Sequence, residues 1–228
     1  MVELNNIHTL NTQMTAVAEF YSHPVWILKG LFSEYDLESN AHRKAIAQCI
    51  KKIQGEKIAD YGGGSGVLAR YVAKELPIAD VQIIEPYSST IFVERLKDVR
   101  SVKFVAELGC DYDVVIAQDV LEHVDNPINL AVDLIKATRM GGYLIFANSF
   151  YPDIKCHLPA TFYLRHTFAG LMKYAGLEFV ERVPGAEHSL LFKRIAEVNH
   201  QALGIADRIA KLIGPTLNWV RRAASKGK

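Results

Sequence analysis

Cysteine is scarce in this chain, and its placement excludes two architectures. The 228 residues hold three, Cys49, Cys110 and Cys156, far apart and in no CxxC pair. An odd, scattered set predicts neither a disulfide scaffold nor a structural zinc site. Long apolar runs are also missing: nothing approaches the ~18 residues that a transmembrane helix needs. The start, MVELNN, lacks a basic segment followed by an apolar one, so no secretory signal is expected and a reducing cytoplasm is the natural compartment. Charge of one sign is lacking too. The net charge is +1, but residues 193–228 hold eight Lys or Arg against two acids, while the preceding 192 hold 18 bases and 23 acids. A mildly acidic body with a basic tail is unlike a nucleic-acid-binding domain, so no nucleic acid is expected as partner. There is no internal repeat and no low-complexity stretch.

What is present is an ordinary globular composition. Half the residues are hydrophobic and 22% are charged, enough for one domain with a sizeable core. Residues 12–53 read as helical, broken at Pro24, after a loose polar start over Asn5–Thr12. From residue 57 apolar strands alternate with helices. Strands are expected at Lys57–Tyr61, Val81–Glu85, Val102–Ala106, Asp113–Ala117 and Tyr143–Ala147. A short helix is expected over Ser88–Lys97. Another carries Ile128, Ala131, Val132 and Ile135 toward the core, with Gly141-Gly142 closing it. This alternation predicts a parallel sheet covered on both faces. After Ser149 the rhythm breaks into an irregular stretch over 150–166, followed by a helical stripe at Phe168, Leu171, Met172 and Ala175. Leu177–Val183 and Ser189–Ile195 read as two strands joined by the segment Pro184–His188. The tail is helical, with Ile205, Ile209, Leu212 and Ile213 on one face, and Gly214-Pro215 should bend or stop it.

The chemistry is concentrated in the first strand-to-helix turn, Asp60-Tyr61-Gly62-Gly63-Gly64-Ser65-Gly66. Four glycines in five residues permit a tight turn and a close backbone approach to a ligand. A dinucleotide fingerprint requires G-x-G-x-x-G or A; that last position is Val67 here, so the pattern is G-x-G-x-G instead. The second strand ends in Glu85, 23 residues after Gly62, where a carboxylate can accept hydrogen bonds from ribose hydroxyls.

The segments IADYGGGSG, IIEP, DYDVVIAQDVLEHV and GGYLIFAN, in this order, resemble the class I methyltransferases that use S-adenosylmethionine. The LEHV stretch, Leu121–Val124, resembles the branch containing the ubiquinone-biosynthesis O-methyltransferases. The resemblance covers residues 55–150 in motifs and the remainder in strand order. It implies an α/β, Rossmann-like fold: a seven-stranded, mostly parallel sheet with helices on both faces. Residues 1–53 would form an N-terminal helical lid, 54–195 the methyltransferase domain and 196–228 a basic helical tail. It also implies roles. Asp60 and the loop Gly62, Gly64 and Gly66 would face the methionine part of S-adenosylmethionine, and Glu85 would hold the ribose. Glu107 would lie near the adenine amine and Gln118 beside the cofactor. His123 and Asp119 would lie close to substrate.

The substrate is expected outside the carboxyl ends of the parallel strands. Candidate groups there are Tyr21, His23, Tyr151, His157, Arg165, His166 and His188. A histidine suits deprotonation of a hydroxyl near neutral pH, so His157 is the first candidate for the base, with His123 as the other. No acidic partner accompanies Cys156, His157 and His166, so no metal is expected. The implied activity is methyl transfer to a small molecule, with O-methylation favoured. A non-catalytic S-adenosylmethionine-binding protein and a nicotinamide-dependent oxidoreductase are the alternatives. The tail's apolar stripe is expected to pack on the body or to pair two copies into a homodimer.

Overall fold

The computed structural model describes residues 23–225. Two helices come first, α1 (Val25–Tyr35) and α2 (Leu37–Ile53). Pro24 stands immediately before α1 as its N-cap residue. Asp36 separates the helices and caps α2, its carboxylate accepting from the Ser39 N–H at 2.7 Å. Strands and helices then alternate: β1 (Lys57–Tyr61), α3 (Val67–Glu75), β2 (Asp80–Ile84), α4 (Thr90–Leu96), β3 (Val102–Val105), β4 (Tyr112–Gln118), α5 (Pro127–Ala137) and β5 (Thr138–Ala147). A short α6 (Phe168–Met172) leads to β6 (Leu177–Val183), β7 (Ala186–Arg194) and the long α7 (His200–Ser225).

The seven strands form one sheet in the order β3-β2-β1-β4-β5-β7-β6. β1 to β5 run parallel, and β7 pairs antiparallel with both β5 and β6. The central parallel strands β1 and β4 bury both faces, so two cores result. Ile46 and Ile50 of α2 and Leu68 and Val72 of α3 pack on one face with Ile83, Ile116 and Ile145. Leu134 and Ile135 of α5, Phe168 and Met172 of α6, and Leu203 of α7 pack on the other with Phe146 and Phe192. The chain turns back between β1 and β4, opening a crevice at the carboxyl ends of these strands. No helix among the described residues is long and apolar enough to cross a membrane.

Four features differ from the sequence reading. α5 ends at Ala137, and β5 begins at Thr138, five residues before Tyr143. Gly141, at φ 77°, lies within β5 where its pairing with β4 slips, so the glycine pair marks a bulge rather than a helix end. The β6–β7 connection is only Pro184-Gly185, since Ala186 already pairs with Val183; His188 is therefore a strand residue. α7 continues through Pro215. Gly214 lets it approach the backbone of Tyr163, where a Cβ would meet the carbonyl oxygen at 2.7 Å. Asn218 then donates to the Phe162 carbonyl at 3.0 Å, anchoring the helix beyond the proline. The fourth difference is the face that α7 buries. Leu203 and Ala210 dock, and the small side chains near Gly214 allow close contact; Ile205, Ile209, Leu212 and Ile213 are exposed.

Candidate active site

The glycine turn sits at the mouth of the crevice. Gly62, Gly64 and Gly66 all have positive φ, at 70°, 54° and 76°. A Cβ at Gly64 would meet nothing within 4 Å, because this position faces an open cavity. At Gly66 a Cβ would clash with the Leu96 side chain, so glycine also allows α3 to start against the sheet. The Gly62 N–H donates to the Ile84 carbonyl at 2.8 Å, tying the turn to β2.

Two carboxylates fix the chemistry of this turn. Glu85, just past β2, accepts from the Gly64 N–H at 3.1 Å and from the Tyr87 N–H at 3.2 Å. Burial raises its pKa, and the two backbone donors offset part of that shift. Asp60 is buried beneath the turn, and its Oδ2 has no hydrogen-bond partner. Burial pushes its pKa to about 7; the Arg43 guanidinium lowers it and the Glu85 charge raises it. An orphaned buried carboxylate oxygen next to an open glycine cradle fits a cationic ligand.

The cavity measures about 380 Å³. The turn and Glu85 form its floor, and Tyr87 and Phe92 line it beside them. Gln118, Asp119 and His123 line it beyond β4. Trp26, Lys29 and Phe32 from α1 and Arg43 from α2 also line it. Asp119 holds a left-handed backbone, φ 55°, uncommon for a residue other than glycine, and its N–H donates to the Ala147 carbonyl at 2.7 Å.

Next to the cavity stands a second group. His123 ends a 3₁₀ turn, Leu121–His123, and its Nδ1 lies 3.0 Å from the Cys156 carbonyl. His157 is buried, with Nδ1 2.6 Å from the Tyr151 carbonyl. The two rings meet edge to face at 4.9 Å. Glu122, fully buried, accepts from the Ser149 N–H at 2.8 Å through Oε1, while Oε2 has no partner. Burial raises the Glu122 pKa to about 7, and burial lowers that of His123. One ligand atom from each of the three side chains can be chosen so that all lie within 4.8 Å of one another. The acid that stands beside His157 comes from another segment, through Glu122.

The structure brings Asp60, Gly62, Gly64, Glu85, Gln118 and His123 together around the turn and its cavity, with His157 behind His123. Gly66 stands one step back as the N-cap of α3. Glu107 is exposed past β3 and does not line the cavity. The Arg165 guanidinium stacks on the Tyr151 ring at 3.4 Å, and half-buried His166 follows the 3₁₀ segment Pro159–Arg165. Neither arginine nor ring lines the 380 Å³ cavity. His188 stacks on His42 of α2 with centroids 4.6 Å apart. His23 accepts from the Val25 N–H at 3.2 Å, and Tyr21 lies outside the described residues. Sequence reasoning missed Arg43, Trp26, Lys29 and Phe32: the helices α1 and α2 carry no motif spacing that reports which residues face inward.

Residues 34–182 match the family model described as a methyltransferase domain. The chain belongs to this family. Its use of S-adenosylmethionine follows, and the nicotinamide alternative falls away. Among curated relatives, the ubiquinone biosynthesis O-methyltransferase of Pectobacterium carotovorum subsp. carotovorum (strain PC1) is 28% identical over 210 residues, 86% of this chain and 81% of that protein. The enzyme of the same name from Pectobacterium atrosepticum is 27% identical over 207 residues, 85% and 79%. The plantazolicin methyltransferase BpumL, solved with SAH, superposes with a TM-score of 0.55 at 13% identity, covering 82% of this chain and 99% of that one. Mitomycin 7-O-methyltransferase MmcR gives a TM-score of 0.55 at 17% identity, covering 69% of this chain and 54% of that longer protein. This methyltransferase shares their fold.

Proposed function

We propose that this methyltransferase acts on a hydroxyl of a small molecule. The observation that carries the reading is His123 on the wall of the cavity that the glycine turn and Glu85 line, with His157 edge to face behind it. A carbonyl oxygen only accepts hydrogen bonds, so each Nδ1 facing a carbonyl carries the proton. In the neutral form, a ring so held keeps an acceptor lone pair on Nε2. Burial holds His123 in this neutral form. An acceptor nitrogen suits removal of a hydroxyl proton.

S-adenosylmethionine supplies an electrophilic methyl group on a sulfonium when bound. Asp60 and Arg43 offer opposite charges to the ammonium and carboxylate of its methionine part, and Glu85 offers acceptors to its ribose. Trp26 and Phe32 of the lid exclude water from the same space. His157 and His123 stand where the acceptor loses its proton, and the remaining contribution of the protein is alignment. The O-methyltransferase names of the curated relatives support a hydroxyl acceptor. Arg165, His166, His188 and Tyr151 belong to a wider acceptor wall in this reading, and Arg165 would pair with an anionic group of the acceptor.

Product formation with labelled S-adenosylmethionine and a panel of hydroxyl acceptors tests the proposal. His157→Ala should lower kcat by about 100-fold or more, within the range for loss of a general base, and leave cofactor affinity intact. Arg165→Ala should act mainly on KM. Wild-type turnover by both variants would make the segment structural and remove these roles.

A further inference from the structure

Three side chains stand together beside the cavity, Glu122, His123 and His157, and one ligand atom of each lies within 4.8 Å of the others. Each is aimed by a partner on its other atom. Glu122 Oε1 is held by the Ser149 N–H, and the two Nδ1 atoms by the carbonyls of Cys156 and Tyr151. The backbone fixes the two segments against each other, since the Leu158 N–H donates to the Glu122 carbonyl at 2.9 Å. Lone pairs do not hydrogen-bond to one another. In its ionised form Glu122 leaves a buried oxygen without a hydrogen-bond partner, which is costly.

We infer that Glu122, His123 and His157 form a binding site for a divalent cation of the Zn²⁺ or Co²⁺ type. Two imidazole nitrogens and one carboxylate oxygen form a donor set suited to such ions, and an imidazole ligand whose other nitrogen donates to a carbonyl is the usual supporting arrangement. The ligand atoms lie within 4.8 Å of one another, wider than the ~3.3 Å edge of a tetrahedral site with bonds of about 2.05 Å, so the ion draws the side chains together. Asp119 adds negative charge nearby, and Lys29 opposes it. Three protein ligands leave coordination positions open, and His123 borders the cavity. The site deepens the hydroxyl reading and, in its chemical consequence, rests on it: an acceptor oxygen bound to such an ion ionises near neutral pH, a task otherwise left to the imidazoles.

Co²⁺ reports on its own coordination through its visible absorption, so the chelator-treated full chain should be titrated with Co²⁺ alone, by spectroscopy and calorimetry. One equivalent should bind with a low-symmetry visible spectrum. His157→Ala and the near-isosteric Glu122→Gln should each weaken uptake by about 100-fold or more, at least the upper end seen for loss of an outer-sphere partner. Affinity for S-adenosylhomocysteine, measured in the same variants, should be unchanged and shows that they are folded. Absence of Co²⁺ uptake, or uptake insensitive to both substitutions, overturns the site. If hydroxyl methylation nevertheless proceeds in chelator, the acceptor reading survives the loss of the ion. If Co²⁺ binds as expected and no hydroxyl acceptor turns over, the site stands and the acceptor reading falls.

Discussion

Asp60 carries a buried oxygen with no partner and a pKa of about 7, and both properties follow from its place under the glycine turn. In the ligand-free protein the carboxyl holds its proton below about 7, whereas in the unfolded chain it releases it near 3.8. Stability therefore falls as pH rises between these values, because the folded state binds the extra proton. A cationic ligand favours the carboxylate, so binding of S-adenosylmethionine near pH 6 should release a proton and strengthen as pH rises through about 7. Calorimetry in buffers of different ionisation enthalpy measures that release. Asp60→Asn should abolish it, and an unchanged release in that variant would assign the proton elsewhere. Glu85→Ala should weaken S-adenosylhomocysteine binding by about 1.5–3 kcal/mol, the range for hydrogen bonds to a charged group. It also removes the acceptor that holds the Gly64 N–H, so the turn loses order as well as a ligand contact. Asp60, Glu85 and Gln118 were legible in the sequence because they end strands beside a glycine turn. Arg43 and Glu122 were not assigned, because their roles depend on neighbours from distant segments.

At the level of elements, the strand-to-helix alternation was readable because the central parallel strands are apolar runs with both faces buried. The errors fell where one residue type serves two ends. Gly141-Gly142 can stop a helix or bulge a strand, and only the pairing of β5 with β4 decides. Gly214-Pro215 reads as a break, yet α7 is held on both sides of it by contacts with the 3₁₀ segment. Tyr163 adds a hydrogen bond of 2.5 Å to Asp207 of α7. Gly214→Ala should push α7 off the Tyr163 backbone and destabilise the protein by about 1–3 kcal/mol, the cost of overpacking. A thermal melt measures it, and an unaltered midpoint would show that the helix relaxes without cost.

The seven strands were legible in chain-wide patterning, whereas the outer face of α7 was not. The stripe Ile205, Ile209, Leu212 and Ile213 was legible, but which face of the helix docks depends on the small side chains that meet the body. The exposed row continues to Trp219, 71% exposed, and Leu212 is 78% exposed. A contiguous apolar row of this kind marks an interaction surface, and pairing of two copies through it is the reading we propose. Light scattering should give a dimer that Leu212→Glu converts to monomer; a wild-type monomer across the accessible concentrations would remove that assembly.

The central claim is that this cavity moves a methyl group from S-adenosylmethionine to a hydroxyl oxygen. It is tested most directly by NMR of the product formed from S-adenosylmethionine carrying a ¹³C-labelled methyl group, with acceptors offering hydroxyl, amine and activated carbon positions. The account predicts a new signal at the chemical shift of a methyl ether, formed together with S-adenosylhomocysteine and lost in Glu85→Ala. A signal only at N-methyl or C-methyl positions would contradict it.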